Sequence, residues 1–398
     1  MKEALHQETP MPSRFNKNIP LLGFAAVLAV IFAYGGVMSF LYGHGVWGTS
    51  DEVPWGILIT AYVYFAVGCT GLCLLSSLAH VFHFKPYESM GLRPVILAIV
   101  SMITAFIIIA LELKYVLNMA IYLVLSPNFK SVFVLMGMLY GAYLVFLILE
   151  LFTYALGYKK LSRYLAIVAI ITGVSATSNL GLVFGSLVAR SYWTAPMMPI
   201  MWIVSALVTG AAALIILYYF VDREQSRANT NHLVNQFRKL LGYFILGYFA
   251  LNAFHIFMGL TSSNLERQEA ANFLLFGDYA INFWVMEVGI LVLALAVVFL
   301  LSNNQRAIMM SSVLVLIAMM FARHNTVTAG QIVSLTPDGQ GPIKILSYSP
   351  TFVEWAMTFG AFGIIIIAYI VLEYVVVFVK DKFGKKEVPA ATEATETM

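Results

Sequence analysis

Residues 54–82 read PWGILITAYVYFAVGCTGLCLLSSLAHVF, residues 83–93 turn through HFKPYESMGLR, and residues 94–119 continue as PVILAIVSMITAFIIIALELKYVLNM. Each apolar run exceeds the roughly 20 residues that cross a hydrocarbon core at 1.5 Å per residue. Two spans joined by a short turn therefore open the fold, and a connector with SPNFKS (126–131) follows them. Late in the second run Glu112 stands among Ile107, Ile108, Ile109, Leu111 and Leu113. A charge at the centre of a membrane helix costs about 2.5–3.5 kcal/mol, so such residues are usually kept for a job.

The rest of the chain has the same character. Hydrophobic residues make up 61% of it and charged ones 11%, which is the balance of a polytopic helical membrane protein and not of a soluble domain. Ten spans are expected, over 20–43, 55–82, 92–117, 131–157, 163–188, 195–221, 240–260, 279–302, 306–323 and 352–379. They form one transmembrane domain over 20–379, between a polar segment 1–19 and a disordered tail 380–398. No small-residue cleavage site precedes the first span, so no removable signal peptide is expected. The connector 324–351, with TPDGQGP, is expected to be an ordered loop with a docking role. Cys69 and Cys73 lie one turn apart in an apolar run and read as core packing; nothing resembles a P-loop, a GxGxxG turn or an HExxH helix. The small residues of ALVTGAAAL (206–214) indicate close helix packing.

Orientation follows from the basic residues. With the N-terminus in the cytoplasm, 17 of the 23 lysines and arginines fall on the inner side, leaving Lys114, Lys130, Arg190, Arg267, Arg323 and Lys344 outside. Both termini are therefore expected in the cytoplasm. A net charge of +3 says nothing about nucleic acid, because these residues sort by membrane side.

That topology gives each polar residue a depth. Glu112, Asn179, His255 and Glu287 fall in the outer half with Ser178, Asn252, Asp278 and Asn282, and Tyr62 and Tyr64 descend from the outer end of the second span. Arg323, His324 and Glu354 are expected at the outer interface, as solvated or paired loop-edge residues. The inner half holds His80, Glu150 and Glu373, which could relay protons. Convergence of polar groups from many helices at one depth is what a site near the outer membrane surface would look like. For each the plain alternative is structural: a satisfied core histidine at 255, or a salt bridge at 112 or 287.

Several stretches together resemble the NrfD family, the polysulfide reductase membrane subunits. They are PWGILITAYVYF (54–65), SSLAHVF (76–82), ALEL (110–113) with LSPNFKS (125–131), LYGAYLVFLILEL (139–151), the long run from Thr172 to Leu214, FGDYAINFWVMEVGI (276–290) and SPTFVEWAMTFGAFG (349–363). The ten-span layout is similar to subunits of hydrogenase and sulfur-cycle electron-transfer complexes. The resemblance implies two similar four-helix bundles plus extra spans, in a multi-pass subunit of the bacterial cytoplasmic membrane. It implies a quinone (menaquinone or ubiquinone) bound near the outer face, no haem or iron–sulfur cluster in this chain, and a ferredoxin-like iron–sulfur partner. That partner would link to a molybdoenzyme, a hydrogenase or a multihaem cytochrome. By position Glu112 matches the acidic residue ending the third span, Glu287 the one after the aromatic FW pair, and Tyr62 and Tyr64 the stretch facing the site. Two departures stand out: Lys114, Tyr115 and Val116 replace a glycine–basic–proline run, and Ala176–Asn179 lacks the histidine many members carry. Asn179 could still donate to a quinone carbonyl, and His255 could take the titrating role.

The chemistry stands beside the resemblance. Quinol oxidation releases two electrons and two protons, so the site needs hydrogen-bond groups for both ring oxygens and at least one proton acceptor. Glu112 and Glu287 suit that task. The other readings are a quinone-free structural or proton-conducting subunit of such a complex, or a secondary transporter. A haem anchor would need histidine pairs at matched depth, which only His255 and His324 approach.

Overall fold

In hydrocarbon a backbone must satisfy its own hydrogen bonds, and long apolar segments do this as helices. The computed structural model describes residues 19–113, 115–220, 227–301, 303–335 and 344–384. In order the helices are α1 (Ile19–Tyr42), α2 (Ile57–His80), α3 (Arg93–Glu112), α4 (Val116–Leu125), α5 (Val132–Ala155), α6 (Lys159–Gly185) and α7 (Met198–Phe220). Then come α8 (Arg227–Leu260), α9 (Leu265–Leu275), a π-helical stretch Asn282–Gly289 running into α10 (Ile290–Leu300), α11 (Gln305–Ala329) and α12 (Phe352–Phe383). Ten of these are long and apolar enough to cross a membrane, as the sequence indicates. Among the described residues the only extended pairing is an isolated bridge between Val333 and Ile345.

Helix contacts sort the spans into two rings of four. α2, α3, α5 and α6 close one ring, and α7, α8, α10 and α11 close the other. In each ring a short helix, α4 or α9, separates the second span from the third, so the order span–span–short helix–span–span occurs twice. α1 and α12 pack on each other and lean on α3.

The rings meet along α2 and α7. α2 is buried on nearly every side, and its Gly71 lies against the backbone of Ala206 and Gly210. A Cβ at Gly71 would overlap the Ala206 carbonyl, and one at Gly210 would collide with the Gly71 carbonyl. Only hydrogen as a side chain lets the two helices come this close, so the ALVTGAAAL stretch does pack as its composition indicates.

The longer connectors gather at the end of the bundle that carries Glu112. Arg190 binds them: Nη1 donates to the carbonyls of Gln331 (3.1 Å) and Val333 (3.0 Å), and Nη2 to that of Glu52 (3.0 Å). The Gln331 side chain exchanges two 2.9 Å bonds with the Trp55 backbone. The Trp55 ring stacks on Trp193 at 5.0 Å, and Trp193 Nε1 donates to the Thr326 carbonyl at 2.7 Å. This cap clasps the ends of α6 and α11 to the start of α2.

Three expectations are revised. The ninth span does not end at Arg323 but runs on to Ala329, so the connector begins six residues later than expected. Two short helices, α4 and α9, occupy segments expected as plain connectors. α12 continues to Phe383, past the expected boundary at 379. The TPDGQGP stretch, Lys114, residues 1–18 and residues 385–398 lie outside the described residues.

Replacing Gly71 by Val forces the rings apart at their closest point. The expected loss is about 1–3 kcal/mol or more, the range for overpacking, read as a lower thermal midpoint of the detergent-purified protein. An unchanged midpoint would contradict the close crossing.

Candidate functional site

The polar residues form separate clusters, each placed by a different helix geometry. The largest begins at the π-helical stretch, where the wide turn buries Phe283 and Glu287 while Trp284 and Val285 stay exposed. Such turns often occur at functional sites. Three donors hold the Glu287 carboxylate. Tyr248 Oη (2.9 Å) and Asn252 Nδ2 (2.7 Å) reach Oε1 from α8, and Asn325 Nδ2 (2.7 Å) reaches Oε2 from α11.

Two residues before Asn325, Arg323 turns towards the seam between the rings. Its Nη1 donates to its own helix at Met319 O (3.1 Å), and Nη2 donates to Ser205 Oγ (3.2 Å) and Thr209 Oγ1 (3.3 Å) of α7. Both hydroxyls give their own protons to α7 carbonyls, which leaves lone pairs for the guanidinium. The rings of Tyr64 and Trp202 each lie 5.6 Å from the guanidinium carbon. Nε has no partner among the described residues. Glu287 compensates the charge through space, without a direct ion pair among the described residues. Arg323, His324 and Glu354 are all buried, so the expectation of interfacial residues is corrected: a polar run inside a long helix reads, by hydropathy alone, as its end.

A second cluster sits where α3 ends and α12 begins. Glu354 is fully enclosed: Tyr348 Oη donates to Oε1 (2.8 Å), and the backbone N–H groups of Gly48 and Thr351 donate to Oε2 (2.8 Å each). Thr351 and Glu354 form a capping box, which satisfies the orphan N–H groups of the helix start. Burial and the Glu354 charge push the Tyr348 phenol well above its ordinary value, which keeps it a donor. Glu112 is also buried and lies within electrostatic range of Glu354, yet no described residue makes a hydrogen bond to it.

The other expected residues fall as follows. Tyr62 and Tyr64 are both buried on α2, and Tyr64 Oη has no partner among the described residues. Asn179 Nδ2 donates to Val132 O at 2.7 Å and so ties α6 to the start of α5. His255 is buried with both ring nitrogens unpartnered among the described residues, its ring 4.8 Å from that of Tyr192 and nearly perpendicular to it. At the opposite end of the bundle, His80 Nδ1 lies 3.5 Å from Glu150 Oε1. Glu373 stands apart from that pair and meets the buried Arg93 guanidinium at 3.3 Å. Glu112 and Glu287 thus belong to different clusters, while Tyr64 and Glu287 both flank Arg323.

Sequence reasoning missed a run of hydroxyls inside the first ring. Thr70 and Thr177 are 2.7 Å apart, Tyr140 Oη is 3.3 Å from Thr177, and Tyr143 donates to Cys69 O at 3.2 Å. Thr177 falls in the stretch that departs from the family pattern. The signal for Tyr140 and Tyr143 was their spacing on one face of the span, which also suits simple packing.

A buried charge left without its compensation costs about 3–5 kcal/mol. Arg323→Met is therefore expected to lower stability by that order, and adding Glu287→Gln to it should recover part of the loss. A double-mutant cycle of thermal midpoints measures the coupling; additive effects would show that the two charges are independent.

Comparison with known proteins bears on what these clusters do. The family model described as polysulphide reductase, NrfD, matches residues 45–336. The third-lettered polypeptide of the selenate reductase of Mesobacillus selenatarsenatis is 26% identical over 406 residues, covering 91% of this chain and 94% of its own. The Hdr-like menaquinol oxidoreductase integral membrane subunit of Archaeoglobus fulgidus is 27% identical over 239 residues, covering 58% and 59%.

Proposed function

Because this chain belongs to the NrfD polysulphide reductase family, we propose that it exchanges electrons between a membrane quinone and an iron–sulfur partner, as the integral membrane subunit of a respiratory complex. In the proposed arrangement both termini lie in the cytoplasm, and the end carrying Glu112 faces outward in a bacterial cytoplasmic membrane. The quinone headgroup binds at that outer end. The partner, attached there, passes electrons to a catalytic subunit.

One observation carries the reading. Glu112 is a buried carboxylate that no described residue engages, placed beside Glu354, whose oxygens already accept three donors. A structural carboxylate resembles Glu354. A carboxylate kept free of partners in an apolar place suits a group that takes a proton from a substrate hydroxyl and gives it up again. The relative named as a menaquinol oxidoreductase subunit supports a quinone as that substrate. Glu287 takes the second proton-handling role. Tyr62, Tyr64, Asn179 and His255 shape the surroundings, with His255 bringing two ring nitrogens that no described residue engages.

General acid–base groups contribute about 10²–10⁴-fold. Glu112→Gln and Glu287→Gln in the assembled complex are expected to lower quinol-linked electron transfer by at least about tenfold, with every subunit present in its normal amount. Full turnover in both variants would refute their role.

The hydroxyl run of the first ring favours a second reading, in which the chain conducts protons. Tyr140, Thr177 and Thr70 lead inward from the outer half, and Glu150 with His80 sits at the inner end. Glu373, held by Arg93, is less suited to a path. Under this reading Glu150→Gln leaves quinol oxidation intact and abolishes proton movement across proteoliposomes; unchanged proton movement would exclude the path.

A further inference from the structure

An elongated cavity of about 560 Å³ lies away from the polar clusters, within the size range of small-molecule sites. The α1–α12 pair forms one wall, α7 and α11 the other, and α2 with α3 the floor. Its lining is almost wholly apolar and includes Leu28, Tyr64, Ala213, Leu316, Phe362 and Ile366. The exposed side chains of Phe24, Ile317 and Phe359 also line it, so it opens sideways towards lipid.

Its position narrows the occupant. On α12 the lining runs from Trp355 to Tyr369, about 21 Å along the helix. On α2 it runs from Tyr64 to Leu72 and on α11 from Val313 to Phe321, in both cases across the middle of the span. The cavity therefore straddles the bilayer midplane. A leaflet of the hydrocarbon core is only about 15 Å deep. A phospholipid chain hung from either surface ends near the midplane and would leave part of the space empty. A long hydrocarbon chain with a weakly polar head, anchored to neither surface, fills it. The outer end also points towards polar groups: Trp355 directly follows Glu354, and the Tyr64 ring carries Arg323 on its face.

We propose that this cavity holds the isoprenoid tail of the quinone, which enters sideways past Phe24, Ile317 and Phe359 while the headgroup lies beyond Trp355. The proposal rests on the quinone reading above and adds to it a tail site outside the first ring.

The test fills the cavity in the assembled complex with Ala213→Phe and, separately, with Ile366→Trp, so that one misfolded variant does not decide the matter. Two quantities are measured: quinone extracted per purified complex, and the KM for a long-tailed quinol against a short-tailed analogue. The expected result is an about tenfold loss of extracted quinone and an about tenfold rise in KM for the long-tailed quinol, with the short-tailed substrate unaffected. If the wild type oxidises both quinols and folded variants leave the long-tailed kinetics unchanged, the tail site is overturned. It is overturned equally if the variants release phospholipid instead of quinone, or shed a partner protein whose helix had filled the cleft. If the wild type oxidises neither quinol and carries no quinone, the underlying quinone reading fails.

Discussion

A guanidinium held in hydrocarbon sets the terms for the interior of this protein. Removing such an ion from water costs several kcal/mol even after relaxation, and only well-placed partners offset that. Arg323 finds them on three helices: a carbonyl on its own, two hydroxyls on α7, and the aromatic faces of Tyr64 and Trp202. Desolvated contacts of the last kind are worth about 2 kcal/mol. The opposite charge, Glu287, is fixed at a distance by donors from α8 and α11. Neither four-helix ring supplies this set alone, since Tyr64 comes from one and the remainder from the other. The charge therefore joins the halves as firmly as the glycine crossing does, and by a different force.

The carboxylates show how environment divides residues of one chemical type. Glu354 caps a helix and takes two backbone N–H groups and a phenol. Glu373 is neutralised by an arginine 280 positions away. Glu287 is surrounded by neutral donors, and Glu112 by none that the described residues provide. In a bilayer such differences matter more than in water, because no solvent makes up for a missing partner.

Much of this architecture is legible in the sequence, and the failures have physical causes. Long apolar runs give the ten spans, since length and hydropathy are what a bilayer selects. Arg323, His324 and Asn325 read as a helix end because hydropathy records polarity without telling a polar core from a polar surface. The pairing of Arg93 with Glu373 has no local signature, as tertiary packing alone brings α3 and α12 together. Thr351 and Glu354 do carry the three-residue spacing of a capping box, a local signal that would have placed Glu354 at a helix start. The hydroxyl run through Tyr140 and Thr177 depends on which face of each helix turns inward, and spans this uniformly apolar do not disclose it.

The wide turn over Asn282–Gly289 has a consequence for how the interior is encoded. Each residue of an ordinary helix advances about 100° around its axis. Losing a single residue from this turn would let it relax to regular α-helix and rotate one flank relative to the other by about that angle. With α10 held in its ring, Glu287 would swing off the donors on α8 and α11, although its own codon was untouched. The position of this carboxylate is thus specified by a count of residues as well as by their identity. A comparison of homologous chains that tolerates gaps here would align the letters and lose the geometry.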